Sequence, residues 1–372
     1  MSKRLQYIDS LRGIAILGVF VVHAASRAGL EGTMRLFCKT GQYGVQLFFV
    51  ISAFTLLLSL SSRRERGDPL LMTNFFVRRL CRILPVYWFG ILFYYFFYGL
   101  ESRSLLAPPE PWHFVPHFLL LNVLHPETSS SVVPGGWSIS LEILFYLMVP
   151  VLFLVVNKLW KACLLVMSGL VVFPFINHVL SQIFRGFMHA EFTPVEVYLF
   201  WYRSPFNQIG AFACGFLLFY LTKSKGLSIT FSRVIVNRSF LIGSVVLMLI
   251  LPFYDGSLKH LLFSLDFVIF AFMLSLLPSL IFVNSFFSFF GRISFSCYLL
   301  HFFVLKELTR LFSQADYLVL SDVGLFGLLL IMTIICTLPL ALLSFRWIEV
   351  PAQSFASSVM NYLTARHADT RS

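Results

Sequence analysis

The sequence predicts an all-α integral membrane protein in which about ten transmembrane helices form one bundle, with both termini in the cytoplasm. Hydrophobic residues make up 58% of the 372 residues and charged residues only 12%, and the mean hydropathy is +0.83. Apolar runs recur along the whole chain, and no polar stretch between them is long enough to fold as a separate domain. Most of these runs approach the roughly 20 residues that a helix needs to cross a bilayer.

The predicted spans follow one another at short intervals from the N-terminus onward. They cover residues 8–26, 43–60, 83–100, 137–157, 160–180, 205–222, 239–255, 260–282, 293–312 and 323–345. We therefore expect a membrane domain over residues 1–350. The remaining residues, 351–372, are expected to form a short polar cytoplasmic tail without a fold of its own.

The basic residues predict the orientation of the spans. The formal net charge is +11, but Lys and Arg residues cluster in short segments between apolar runs and form no single basic face. This distribution is typical of the positive-inside rule and does not indicate a nucleic-acid partner. When loops are assigned to alternating sides, about 19 of the 28 Lys and Arg residues fall on the N-terminal side. Both termini are therefore predicted to be cytoplasmic, and the aromatic-rich loops near 101–136 and 181–204 to face outward.

Two further features concern the cysteines and the N-terminus. The six cysteines show neither CxxC pairing nor metal-ligand spacing, so we expect them to pack in the interior and expect no metal site. A secretory signal peptide is an alternative for residues 1–26, because a short basic start precedes an apolar run and "HAAS". We favour a first transmembrane span.

Arg12 and His23 bracket the apolar first span in the segment "DSLRGIAILGVFVVHA". Ionisable residues inside a span are costly and usually mark a pathway or a reaction site. The two side chains are separated by about 1100° of helix rotation, or three turns plus about 20°, so they share one helix face about 16 Å apart. This face would join the cytoplasmic edge to the outer half of the membrane. The alternative is an arginine that snorkels to the headgroups and a hydrogen-bonded interfacial histidine.

Two glycines, Gly41 and Gly44, precede the bulky second span in "GQYGVQLFFVISAF". Glycine lets a helix or a ligand approach the backbone closely. Ligand binding and simple helix packing both remain open interpretations of this motif.

Three arginines, Arg78, Arg79 and Arg82, precede Pro85 in "FFVRRLCRILPVYW", at the predicted cytoplasmic mouth of the third span. Proline is easily accommodated near a helix start. Guanidinium groups at i and i+3, such as Arg79 and Arg82, face the same way and suit a polyphosphate. A cluster of charges that only sets the membrane topology explains the motif equally well.

The segment "GGWSISLEILFYLMVP" places Trp137 at the predicted outer boundary and Glu142 at helical spacing from Ser138 and Tyr146. A buried carboxylate needs a partner. His23, also predicted in the outer half, is an eligible one, and such a pair holds an imidazole in a basic tautomer. A purely structural carboxylate is the alternative.

Two late segments, "GRISFSCYLLH" and "FRWIEVP", flank the ninth span and end the tenth. Tyr298 and His301 lie one helical turn apart, so they could form a hydrogen bond or line one cavity. A histidine that merely satisfies a neighbouring group is the alternative.

Together these segments resemble the acyltransferase-3 family of multi-spanning membrane acyltransferases. The resemblance runs almost end to end and rests on "DSLRGIAILGVFVVHA", "GQYGVQLFFVISAF", "RRLCRILPVYW", "GGWSISLEILFY", "GRISFSCYLLH" and "IEVP", in the family's order and spacing. It implies an acetyl-CoA or other acyl-CoA donor from the cytoplasm and no metal ion. It also implies an envelope glycan or glycolipid as acceptor, such as an O-antigen, an exopolysaccharide or a lipid-linked sugar, at the bacterial cytoplasmic membrane. Some members carry a C-terminal esterase-like domain, which we do not expect in this chain, so transfer would occur within the membrane unit.

The resemblance also implies roles for individual residues. The catalytic residues would be His23 and Glu142. The donor-binding residues would be Ser10, Arg12, Gly44, Arg78, Arg79 and Arg82. The acceptor-binding residues would be Trp137, Ser138, Ser140, Tyr146, Tyr298 and His301. The chain departs from the family pattern at Ala53, usually glycine, at Phe295, often tyrosine, and in "FNQIGAFACG", which lacks an arginine often seen before the sixth span.

These roles suggest a reaction path along the first span. The arginines would clamp the phosphates of coenzyme A, and His23 would deprotonate an acceptor hydroxyl that attacks the thioester. Glu142 would orient the imidazole, and a transient acyl-histidine is the competing mechanism. The alternative function is a transporter or flippase for an envelope glycan or lipid intermediate, because ten spans with intramembrane charges also suit conduction.

Overall fold

The computed structural model describes residues 3–103, 107–313 and 321–369, and every regular element in those ranges is helical. Nine helical segments among the described residues are long and apolar enough to cross a membrane. A tenth span results if Ser285–Arg292 and Ser294–Ser313, which meet at a bend of 78°, count as one. The prediction of an all-α multi-pass membrane protein is confirmed, whereas the orientation of the termini stays a prediction.

Eighteen α-helices follow one another along the described ranges. The first six are α1 Lys3–Arg27, α2 Gly32–Lys39, α3 Gly44–Glu65, α4 Leu71–Tyr98, α5 Phe114–Phe118 and α6 Gly136–Val155. The next six are α7 Leu159–Met167, α8 Phe173–Ile183, α9 Arg185–Glu191, α10 Pro194–Tyr202, α11 Pro205–Lys223 and α12 Lys225–Phe231. The last six are α13 Val234–Ile250, α14 Lys259–Leu276, α15 Ser285–Arg292, α16 Ser294–Ser313, α17 Asp322–Ser344 and α18 Val350–Asp369. Short 3-10 turns cover Thr40–Tyr43, Pro111–His113, Asn122–Leu124 and Leu251–Phe253, and π-helical turns cover Ser168–Val172 and Phe345–Glu349.

Helix α4 begins at Leu71, well before the predicted third span at residue 83. The apolar window marks only the C-terminal part of this helix, whereas its early turns carry Arg78, Arg79 and Arg82. Pro85 therefore lies inside α4, which corrects the expectation that it stands near a helix start. There it removes one hydrogen bond from the helix ladder.

Helix α14 ends at Leu276, before the predicted end of the eighth span at residue 282. Leu277 takes an extended conformation, with φ −132° and ψ 91°. Pro278 follows it, and a proline disfavours the α conformation in the residue before it. The apolar composition of this region continues past the point where the backbone leaves the helix.

The segment expected to be a tail without a fold forms helix α18, which packs against α4. Residues 351–369 of the expected tail therefore do have a regular fold. Ala356 and Met360 lie four residues apart on one face and are buried, at 1% and 6% exposure. Such a narrow apolar stripe in a polar segment does not register in average composition.

The described residues form two compact units, each made of segments distant in sequence. The first unit comprises the described parts of 1–54, 156–184 and 204–339, and the second those of 55–155, 185–203 and 340–372. In the first unit, α1 packs along α15 and α16, and α11 packs against α7 and α14. In the second, α4 contacts α6 and α18.

The contact between α1 and α15 requires glycine on both helices. A Cβ added to Gly13 would lie 1.9 Å from the carbonyl oxygen of Phe287, and one added to Gly291 would lie 1.7 Å from that of Asp9. Any side chain would push the two backbones apart. The glycines thus set the separation of the helix that carries Arg12 and His23 from its neighbour.

Candidate active site

In the first unit, Arg12 and His23 both lie on the unbroken helix α1, so the helix rise separates them by about 16 Å along one face. The Arg12 side chain is 16% exposed, and its Nη1 lies 3.5 Å from Oδ1 of Asp9, one turn earlier. His23 is half-buried further along the helix. The continuous helix on which the predicted spacing depends is therefore present in the folded chain.

The imidazole of His23 packs against aromatic rings from α16. Its ring centroid lies 5.4 Å from that of His301 and 4.5 Å from that of Phe302. Phe20, one turn earlier on α1, lies 5.2 Å from the same His301 ring. The C-terminal part of α1 and the middle of α16 thus form a cluster of two imidazoles and two phenyl rings.

His301 is fully buried, at 0% exposure. Its Nδ1 is 2.8 Å from the carbonyl oxygen of Tyr298 and 3.2 Å from that of Cys297. Nε2 has no hydrogen-bond partner in the described part of the chain. The Tyr298 and His301 rings lie 5.9 Å apart, as one-turn spacing predicts, but the hydrogen bond joins His301 to the backbone of Tyr298.

Two residues predicted to bind the donor make contacts between helices in this unit. Ser10 is fully buried, and its hydroxyl forms a 2.8 Å hydrogen bond with the hydroxyl of Ser288 on α15. A Cβ on Gly44 would lie 2.4 Å from the carbonyl oxygen of Ala15 on α1. The contacts between helices explain why a serine and a glycine stand at these two positions, without a role in donor binding.

In the second unit, Glu142, Tyr146 and Arg79 form one polar group between α6 and α4. The hydroxyl of Tyr146 donates a hydrogen bond to Oε1 of Glu142 at 2.5 Å. The guanidinium of Arg79 lies 5.9 Å from the centre of the Tyr146 ring, is 8% exposed and is attracted electrostatically by Glu142. A buried arginine therefore faces the predicted catalytic carboxylate from inside the helix pair.

The other two arginines of α4 differ from Arg79 in exposure. Arg78 is exposed and Arg82 is half-buried. Among the described residues neither forms an ion pair within 4.0 Å. Their guanidinium groups remain available for an anionic ligand, as the polyphosphate interpretation requires.

Trp137 is buried at the start of α6 and stacks with a cation that sequence analysis missed. The guanidinium of Arg203 lies 5.5 Å from the centre of its ring. Arg203 also donates hydrogen bonds to the hydroxyls of Ser129, at 2.7 Å, and Ser130, at 3.4 Å. This arginine stands two residues before α11, ahead of the span where the family pattern often has one. The sequence feature that could have identified Arg203 is a basic residue in an aromatic segment directly before a predicted span.

The predicted outward loop is anchored by a buried hydrogen-bond network. Ser140 donates to the side-chain oxygen of Asn122, whose amide donates to the carbonyl of Ser129 at 3.0 Å. Nε2 of His117 donates to the carbonyl of Thr128 at 2.7 Å, so Nδ1 accepts from the hydroxyl of Tyr87 at 2.8 Å. Burial lowers the pKa of His117 to about 3.

These anchors change the interpretation of the two serines predicted to bind acceptor. Ser138 donates to the carbonyl of Gly135 at 3.1 Å, and Ser140 holds the loop. Both hydroxyls are engaged within the second unit. Sequence analysis missed His117 and Asn122 because hydrogen bonds across a loop leave no periodic pattern in the sequence.

Two histidines of the same loop share one carboxylate. Nε2 of His113 lies 3.7 Å and Nδ1 of His125 lies 4.0 Å from Oε2 of Glu127. Burial lowers the pKa of His113 and raises that of Glu127. Across the described ranges, no group of three or more His, Cys, Asp or Glu side chains could hold a metal ion.

Comparison with known proteins supports a family assignment. A family model described as an acyltransferase domain, acyltransferase-3, matches residues 5–342. The acyltransferase MdmB of Streptomyces mycarofaciens is 30% identical over 193 residues, 47% of this chain and 47% of that protein. The peptidoglycan O-acetyltransferase OatA of Listeria monocytogenes is 26% identical over 169 residues, 42% of this chain and 25% of that protein.

A third relative aligns with nearly the whole chain. A putative O-acetyltransferase of Staphylococcus aureus is 24% identical over 397 aligned positions, 97% of this chain and 59% of that protein. In each of the three comparisons the match spans less than two thirds of the relative's own length. No solved structure matches the chain significantly.

Proposed function

The chain belongs to the acyltransferase-3 family, and we propose that it transfers an acetyl or other short acyl group from cytoplasmic acyl-CoA to a hydroxyl of an envelope glycan. Two relatives support a glycan-like acceptor: one is named a peptidoglycan O-acetyltransferase and another a putative O-acetyltransferase. We further propose the bacterial cytoplasmic membrane as its location, with an O-antigen, an exopolysaccharide or a lipid-linked sugar as acceptor.

One observation carries the proposal: Arg12 and His23 lie on one face of the unbroken helix α1, and His23 packs against the buried imidazole of His301. A cation at one end of this face suits an anionic donor. An imidazole further along suits proton transfer, because its unperturbed pKa of about 6.5 permits proton uptake and return near neutral pH.

In the proposed reaction, an unprotonated nitrogen of His23 takes the proton from the acceptor hydroxyl. The hydroxyl oxygen forms a bond with the thioester carbonyl carbon, and the bond between that carbon and sulfur breaks. Coenzyme A leaves as a thiolate and receives the proton from the His23 imidazolium. Direct acylation of His23, followed by transfer, is the competing path.

Of the remaining charged residues, some are proposed to bind coenzyme A and the others to position or act as catalytic groups. We propose that Arg12, Arg78 and Arg82 bind phosphates of coenzyme A, because bidentate guanidinium groups suit them. Arg79 is buried beside Tyr146 and attracted by Glu142, so we assign it to holding that carboxylate. Glu142 remains the second proposed catalytic residue, as a carboxylate that stabilises developing positive charge.

On the acceptor side, Trp137 and Tyr298 remain proposed contacts. A half-buried Arg203 above Trp137 adds a guanidinium that can donate to sugar oxygens. The serines Ser138 and Ser140 contribute through the loop that they hold.

NMR of envelope glycans from cells with and without the gene tests the proposed function. We expect an O-acyl signal that disappears on deletion and returns with the wild-type gene but not with His23→Ala expressed at the same level in the membrane. Identical O-acyl signals in all four strains would refute it.

A further inference from the structure

His301 presents one nitrogen to which no group in the described part of the chain forms a hydrogen bond. Its Nδ1 lies within hydrogen-bond distance of two carbonyl oxygens, those of Cys297 and Tyr298. Carbonyl oxygens only accept hydrogen bonds, so Nδ1 must carry the proton. In a neutral imidazole the second nitrogen, Nε2, then has a lone pair and acts only as an acceptor.

The surroundings of His301 keep this imidazole neutral. The residue is fully buried, and the rings around it are Phe20 at 5.2 Å, Phe302 at 4.0 Å and His23 at 5.4 Å. A second proton would bury an uncompensated cation among apolar rings and beside another imidazole. Nε2 is therefore a fixed acceptor, and no described group donates to it.

A buried hydrogen-bond acceptor without a donor reduces the stability of the fold. Native structures rarely contain one unless a water, an ion or a ligand supplies the missing partner. The position beside His23 indicates a ligand. If His23 takes the single proton of the attacking hydroxyl, that hydroxyl has no further hydrogen to donate to Nε2. The donor must then be a second group on the bound molecule.

We propose that Nε2 of His301 accepts a hydrogen bond from a second O–H or N–H group of the acceptor, next to the hydroxyl that His23 deprotonates. This inference rests on the proposed function and refines its acceptor. It makes His301 a specificity-determining and positioning residue, and it defines the acceptor as a molecule with at least two neighbouring hydrogen-bond donors, such as a sugar ring. A simple alcohol would leave Nε2 unpaired and would be discriminated against.

Two variants and a control on the same helix test the inference. His301→Phe fills the space without an acceptor, and His301→Gln places an amide oxygen close to the position of Nε2. Thr309→Val, further along α16, removes a hydroxyl that bonds to the carbonyl of Leu305. Three quantities are compared with wild type: the glycan O-acyl signal, the melting temperature of the purified protein and its binding of acetyl-CoA.

We expect His301→Phe to reduce the O-acyl signal by at least about tenfold while melting no lower than His301→Gln, because both variants lose the Nδ1 hydrogen bond to the carbonyl of Tyr298 and only the acceptor at Nε2 distinguishes them. His301→Gln should recover part of the signal, Thr309→Val all of it, and all variants should bind acetyl-CoA as wild type does. A role confined to the fold would instead lower the melting temperature and reduce the signal equally in both His301 variants.

The remaining outcomes separate this inference from the proposed function. Absence of any O-acyl signal in wild-type cells would refute the proposed function itself. A normal wild-type signal with an equal signal in His301→Phe would refute only the inference. If acetyl-CoA binding weakens as much as acyl transfer does, Nε2 contacts the acyl donor and not the acceptor. This result would also refute the inference.

Discussion

Tyr146 and Glu142 lie one turn apart on α6, and the tyrosine hydroxyl donates a 2.5 Å hydrogen bond to the carboxylate. The guanidinium of Arg79 lies 5.9 Å from the centre of the same tyrosine ring. A carboxylate held by a hydroxyl and attracted by a buried cation has a defined orientation. Glu142 thus differs from a carboxylate that merely snorkels to the membrane surface.

Removing the hydroxyl should weaken the reaction without unfolding the protein. For Tyr146→Phe we expect acyl transfer to fall roughly 10-fold to 100-fold, because a hydrogen bond to a charged group contributes about 1.5–3 kcal/mol. The rate of O-acylation in membranes with equal protein content is the measurement. Tyr198→Phe, at an exposed tyrosine of α10, is the matched control and should retain full activity.

His23 is expected to be indispensable for transfer. His23→Ala should abolish O-acylation while the protein still inserts into the membrane and folds, because a half-buried ring contributes only part of its surface to packing. A second variant, Phe302→Leu, perturbs the same ring cluster without removing a titratable group. If the two variants lose activity equally, the role of His23 is packing and the assignment as general base is wrong.

Arg82 is expected to bind the donor. Arg82→Ala should weaken the binding of acetyl-CoA about tenfold, and raising the salt concentration should reduce the difference from wild type, since salt screens a half-exposed charge. Isothermal titration of the purified protein measures both effects. Arg310→Ala removes an exposed arginine from α16 and should bind acetyl-CoA normally. Unchanged binding by Arg82→Ala at low salt would contradict the assignment.

Much of the fold and part of the site could be predicted from local patterns. Hydropathy located the spans, and helix periodicity placed Arg12 and His23 on one face, because both depend on residues close in sequence. The contact of His23 with His301 could not be foreseen, since it joins helices 278 residues apart and depends on how α1 packs against α16. The contact of Arg203 with Trp137 was not predicted either, because it too joins residues that are distant in sequence.

The close approach of α1 and α15 gives a stability prediction. Gly13→Ala would place a Cβ 1.9 Å from the backbone oxygen of Phe287, so we expect a loss of about 1–3 kcal/mol from overpacking and a lower melting temperature. Gly243→Ala, in α13, meets nothing within 4 Å and should be neutral or slightly stabilising. Equal melting temperatures for the two variants would show that α15 yields easily to the added methyl group.

His117 makes the anchored loop sensitive to acid. Burial lowers the pKa of His117 to about 3, whereas the unfolded chain would bind a proton near the ordinary value of about 6.5. The stability from this group is therefore fully present above pH 6.5 and decreases as the pH falls towards 3, with a loss of about 2 kcal/mol at pH 5. The melting temperature of the purified protein at pH 7.5 and pH 5 measures the loss.

The variant His117→Gln separates this titration from other acid effects. It should melt lower than wild type at pH 7.5, because the hydrogen bonds to Tyr87 and Thr128 are altered, yet it should lose less on acidification. Part of the pH dependence should remain, since burial also lowers the pKa of His113. His189→Gln, at an exposed histidine of α9, should retain the full wild-type pH dependence. If His117→Gln loses as much stability as wild type between the two pH values, another group governs the acid sensitivity of the loop.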